Sequence, residues 1–132
     1  MTVARLLIVD DSPEIRSALR RIAEANDYDV VGEADNGKAA LAWLTHVSLD
    51  VLLLDVSMPV MGGFETARRL KRIAPTLPIL FISQHTEADY VDEAFRLGAR
   101  GYLLKSAIAS ELGPALEAVR GNKIYRSERL AS

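Results

Sequence analysis

Five side chains with chemistry to offer stand where short apolar runs of the sequence stop. Asp10 and Asp11 follow "LLIV", Asp55 follows "VLLL", Ser83 follows "LFI" and Lys105 follows "YLL". Carboxylates brought close together repel one another unless a cation or a proton sits among them. The chain has no cysteine, and its two histidines, His46 and His85, match no metal spacing. An oxygen donor set of this kind favours a hard ion such as Mg²⁺ over Zn²⁺. Mg²⁺, a lysine ammonium and a hydroxyl together are the groups that stabilise a phosphoryl group in transit. Neither GxxxxGK[ST] nor GxGxxG occurs, so the sequence offers no nucleotide-cradling loop. The phosphoryl group must then be delivered by another molecule, and a carboxylate is the evident acceptor. Asp55 fits best, because it ends the most apolar and therefore most central run, and its product would be an aspartyl phosphate.

Singly, each of these residues has an ordinary explanation. An Asp at a strand end is most often a turn former or cap, Lys105 alone reads as a surface lysine, and Ser83 as a turn residue. Tyr102, one residue into its run, reads as a partly buried aromatic. His46 belongs at an exposed helix end and His85 on the rim. The functional case is the coincidence of four strand ends, each supplying a group useful to one reaction.

The elements that must position these groups alternate along the chain. Strands are predicted over 5–9, 29–34, 50–55, 78–83 and 101–105. Helical stripes lie between them: Ile15, Leu19, Ile22 and Ala23; Leu41, Leu44 and Val47; Phe64, Ala67, Leu70 and Ala74; Val91, Ala94 and Phe95; and Leu112, Leu116 and Val119. Ser12 with Pro13 and Asn36 mark helix starts. Thr86 with Asp89 resembles a capping box, and Gly98 marks a helix end. Pro59, Gly62 and Gly63 keep 56–63 a loop. Strict alternation implies an α/β fold, a doubly wound parallel sheet of five strands with helices on both faces. Ligands of such sheets sit at the carboxyl ends of the strands, which is where the five side chains fall. Asp10 and Asp11 would point to opposite faces of a continuing strand, so both reach one ion only because the strand stops there.

Composition narrows the function classes. The 132 residues are one domain's worth, with 49% apolar and 26% charged residues, which excludes a disordered tail. A net charge of −2 gives no support to a basic nucleic-acid surface. The absence of cysteine excludes a disulfide scaffold. No apolar run is long enough to span a bilayer, and no signal peptide is evident, so a cytoplasmic protein without a membrane partner is expected. Residues 122–132 are polar, lack periodicity and read as a linker or tail beyond a domain at 1–121.

Taken together, "LLIVDDSPEIRSAL", "DVLLLDVSMPVMGG" and "ILFISQHTEADYVDEAFRLGARGYLLK" resemble the receiver domains of two-component response regulators. The resemblance covers about residues 4 to 121. It implies the flavodoxin-like, CheY-like strand order 2-1-3-4-5 and phosphorylation of Asp55 by a sensor histidine kinase. It also implies Mg²⁺ held by Asp10, Asp11, Asp55 and the backbone carbonyl of Ser57. Lys105 would contact the phosphoryl oxygens, Ser83 would be the switch hydroxyl, and Tyr102 the aromatic that changes rotamer with it. Ser57 and His85 occupy two variable rim positions that tune phosphoryl lifetime in the family. "GARGYLLK" and "ALEAVRGNKIYRSERLAS" are similar to the NarL/FixJ subgroup, whose receivers precede a LuxR-type helix-turn-helix domain. The expectation is therefore a piece of a transcriptional regulator that touches DNA only through that domain and dimerises on phosphorylation. A stand-alone receiver acting by protein–protein contact is the alternative. Ile108, Gly113 and Pro114 depart from the family pattern and predict an irregular start to the last helix.

Two other classes compete. A phosphohydrolase with an aspartyl-phosphate intermediate commonly has an acid two residues after the nucleophile, where this chain has Ser57; turnover catalysis is not expected. A flavodoxin-like small-molecule binder would need phosphate-cradling loops that the sequence lacks.

Overall fold

The computed structural model describes residues 3–130. Strands β1 (Arg5–Val9), β2 (Asp29–Ala34), β3 (Val51–Asp55), β4 (Ile79–Ser83) and β5 (Gly101–Leu104) alternate with helices α1 (Pro13–Ala25), α2 (Gly37–Trp43), α3 (Gly63–Ile73), α4 (Ala88–Arg96) and α5 (Ile108–Arg120). All strand pairs are parallel. The sheet order is β2-β1-β3-β4-β5, continued by a strand β6 (Tyr125–Arg126) on the β5 edge. The predicted five parallel strands and their order are found, and the short β6 extends the sheet to six. Two residues are too few to leave a periodic signal, and β6 is held by main-chain pairing that a side-chain pattern does not encode.

Every residue of β3, β4 and β5 is buried, as expected of parallel strands covered on both faces. Helices α1 and α5 pack together on one face. On the other, α2 packs on α3, and Phe64 of α3 lies beside Tyr90 of α4. Local sequence explains the entries to these helices. Ser12 Oγ accepts from the Ile15 amide and Asn36 Oδ1 from the Ala39 amide. Arg16 and Arg20 of α1 reach Glu33 of β2 at 3.0 and 2.6 Å. These bonds, that to Arg20 foremost, hold the Glu33 carboxyl below its ordinary pKa despite partial burial.

Two local expectations change, and the irregular start of the last helix is found. The capping box does not form: α4 begins after Glu87 with no side-chain cap, because Thr86 lies outside the helix boundary. Helix α2 ends at Trp43, leaving Leu44 and Val47 in the turn beyond. The last helix is entered through a 3₁₀ turn, Lys105–Ala107, and then runs unbroken past Pro114 to Arg120.

Candidate functional site

The strand ends β1, β3, β4 and β5 meet at one rim. Strand β1 stops at Val9, and the turn that follows brings Asp10 and Asp11 to the same side as Asp55. One oxygen from each of these three carboxylates lies within 4.8 Å of the others. Asp10 and Asp55 are buried, Asp55 with 1% exposure, while Asp11 is open to solvent. Asp10 is fixed through its main chain: its amide donates to Ala34, and its carbonyl accepts from Arg16 Nη1 at 2.7 Å. Its Oδ1 accepts from the Ser12 amide at 2.8 Å. The geometry of β3 and the loop after it depends on Gly63, where a Cβ would stand 2.2 Å from the Asp55 carbonyl oxygen. Only glycine lets α3 start that close to the end of β3.

Lys105 Nζ lies 3.2 Å from Asp55 Oδ2 and 3.2 Å from Asp10 Oδ2. It donates a hydrogen bond to the former, while its angle to Asp10 Oδ2 leaves that oxygen without one. Asp10 Oδ2 is the single buried side-chain polar atom lacking a hydrogen bond among the described residues. Burial first, and the Asp10 charge second, push the Asp55 carboxyl up to about 7, against the opposing pull of Lys105. Burial disfavours the Lys105 charge, but Asp55 and Asp10 together outweigh it and raise that pKa. One ammonium does not compensate three acids. The orphaned oxygen, the all-oxygen donors and the proton-retaining Asp55 fit a hard divalent cation.

Ser83 is buried at the end of β4, and its Oγ accepts from the His85 amide at 2.9 Å. Tyr102 is fully buried, and its hydroxyl donates to the His85 carbonyl at 2.8 Å; burial raises its pKa. The side chain thus stands in its inward rotamer, held by that hydrogen bond. The Ser57 amide donates to Asp55 Oδ1 at 3.3 Å. Its hydroxyl lies 3.3 Å from His85 Nε2, and the imidazole is stacked on Tyr90 at 3.9 Å between centroids. Arg16 and Tyr90 escaped the sequence reading. Arg16 had no mark beyond its charge, and Tyr90 read as an ordinary aromatic of a helix.

His46 is exposed in the turn after α2, away from the rim. No helix among the described residues is long and apolar enough to cross a membrane.

Comparison with known proteins follows this geometry. Residues 6–117 match the family model described as "Response regulator receiver domain". The chain is 36% identical over 128 residues to the transcriptional regulatory protein YdfI of Bacillus subtilis (strain 168), covering 96% of this chain and 60% of that protein. It is 35% identical over 127 residues to the response regulator UvrY of Escherichia coli (strain K12), covering 96% of this chain and 58% of UvrY. The chain therefore spans less than two thirds of the length of these relatives. Its backbone superposes with a TM-score of 0.92 on the crystal structure of a two-component response regulator of the LuxR family from Aurantimonas sp. SI85-9A1. That match has 31% identity and covers 98% of this chain and 93% of the other. The sheet order, the acid cluster on its rim and these matches lead to one statement: the chain belongs to the receiver domains of two-component response regulators, with LuxR-type transcriptional regulators as its relatives.

Proposed function

We propose that this receiver is a phosphorylation-dependent switch in which Asp55 accepts a phosphoryl group from a sensor histidine kinase. The observation that carries this reading is the placement of Asp55 against Lys105 Nζ at 3.2 Å and within 4.8 Å of two further acids. In the transfer, an Asp55 carboxylate oxygen forms a bond to phosphorus while the phosphorus–nitrogen bond of the phosphohistidine breaks. The imidazole leaves with the electron pair. The acyl phosphate carries about −1.5 to −2 of charge in place of the carboxylate's single negative charge. Lys105 neutralises part of it by holding a phosphoryl oxygen. Mg²⁺, held by Asp10, Asp11, Asp55 and the Ser57 backbone carbonyl, supplies further positive charge for the phosphoryl oxygens when bound.

The Ser83 hydroxyl donates a hydrogen bond to the phosphoryl group while its oxygen still accepts from the His85 amide. Tyr102 keeps the inward position through the His85 carbonyl. Phosphorylation then acts by biasing a population, not by creating a new rotamer. The output is transcription, through a C-terminal helix-turn-helix domain that binds DNA, with homodimerisation on phosphorylation in the cytoplasm. The chain takes up and slowly loses the group without turnover catalysis.

Beryllofluoride or acetyl phosphate with Mg²⁺ tests this reading. Mass spectrometry after acetyl phosphate is expected to show one phosphoryl adduct on the wild type and none on Asp55→Asn. An adduct that survives in Asp55→Asn, or none on the wild type, overturns it.

A further inference from the structure

Residues 125–130 are polar apart from Tyr125 and Leu130, yet they are docked in detail. Ser127 is 2% exposed and all of its polar groups are engaged. Its amide donates to the Tyr102 carbonyl at 3.0 Å, its Oγ accepts from the Leu104 amide at 2.9 Å, and its carbonyl accepts from the Leu130 amide at 2.9 Å. Tyr125 OH donates to Glu111 Oε1 of α5 at 2.8 Å, and the Glu128 amide reaches the same oxygen at 3.4 Å. Arg126 sets its guanidinium 5.4 Å from the centre of the Phe95 ring of α4. The segment therefore ties three elements together: α4 by a cation–π contact, β5 by its backbone, and α5 by a carboxylate that is itself 92% buried, with 8% exposure.

The stretch of β5 that Ser127 grips is the one that carries Tyr102 and leads into Lys105. A continuous set of bonds joins it to the rim. Ser83 Oγ holds the His85 amide, the His85 carbonyl holds Tyr102 OH, and the Tyr102 carbonyl holds Ser127. Connection alone does not make coupling; an element with two arrangements is needed. A two-residue strand at a sheet edge, with Arg126, Glu128 and Arg129 exposed, is such an element, because short edge segments open locally at low cost.

We propose that residues 125–130 form a strap whose docking across α4, β5 and α5 is energetically coupled to occupancy of Asp55. The inference rests on the phosphoacceptor reading above. Inward Tyr102 and the docked strap occur together in this structure, so an adduct that favours inward Tyr102 also favours docking. Linkage makes the effect reciprocal: release of the strap weakens the adduct by the factor by which the adduct tightens the strap.

Hydrogen exchange on the full 132-residue chain, with and without beryllofluoride plus Mg²⁺, tests the coupling. Fluorine NMR reports adduct formation independently. The Leu104 and Ser127 amides are expected to slow by about fivefold or more beyond any slowing of Leu7 and Leu53, central-strand amides that report the global stabilisation given by the adduct. Ser127→Ala is expected to speed exchange of the strap and to raise the beryllofluoride concentration for half-saturation by a matching factor. Arg126→Ala, a surface change, should do the same to a smaller degree if Ser127→Ala fails to fold. An adduct that forms while strap exchange slows no more than that of the central strands overturns the coupling and leaves the phosphoacceptor reading intact. Failure of the wild type to form the adduct overturns both.

Discussion

Asp55 is the residue on which electrostatics and burial conflict most. Its folded pKa of about 7 lies above the ordinary value of 3.8, so the folded state binds the proton more tightly than the unfolded chain. Its contribution to stability is fully present below about pH 4 and is lost as pH rises through about 7. Urea titrations in the presence of a chelator should show stability falling across that window by up to a few kcal/mol, on the order of what such a shift allows. Asp55→Asn should flatten this slope, and Mg²⁺ should restore stability at neutral pH. Val60 shows a different strain. It is 80% exposed and sits at a φ of 68° in the loop after β3, a left-handed conformation that a β-branched side chain disfavours. Val60→Asn should raise stability by about 0.5–1 kcal/mol, read from the urea midpoint, because asparagine tolerates that region.

Among the elements, the contact between β3 and the start of α3 governs the geometry of Asp55. The Gly63 amide donates to the Val56 carbonyl at 2.9 Å, and a Cβ at this position would collide with the Asp55 carbonyl oxygen. Gly63→Ala forces either α3 or the end of β3 to move. The expected result is a loss of about 1–3 kcal/mol, as for other overpacked sites, together with weakened beryllofluoride binding, measured by denaturation and by fluorine NMR. Helices α1 and α2 needed only local signals to start, Ser12 and Asn36. Helix α4 needed none from its cap. Val91 and Ala94 are buried, so packing against the sheet sets its position where Thr86 and Asp89 do not.

For the whole molecule, the sixth strand changes what the surface offers. Without it, β5 would present an open edge to solvent and to other chains. A chain ending at Gly121 should lose about 2–4 kcal/mol in urea denaturation, since the Leu104 amide loses its acceptor and the pocket of Leu130 is emptied. Light scattering should show greater self-association of that truncated chain. The face made by α4, β5 and α5 is already occupied by the chain's own residues 125–130, so a partner for that face meets the strap first.

Read alone, the amino-acid order determined the parallel α/β architecture and the five side chains of the rim. Buried parallel strands appear as uninterrupted aliphatic runs, and the residue that ends each run is visible as the first polar one. "VLLLD" and "YLLK" carry that information locally. Tertiary structure alone decided the inward state of Tyr102, the bridge from Ser57 to the stacked His85 and the strand at 125–126. Each of these depends on polar groups far apart in the chain meeting at hydrogen-bonding distance. Hydrophobic periodicity records which face of an element is buried; it does not record which donor meets which acceptor.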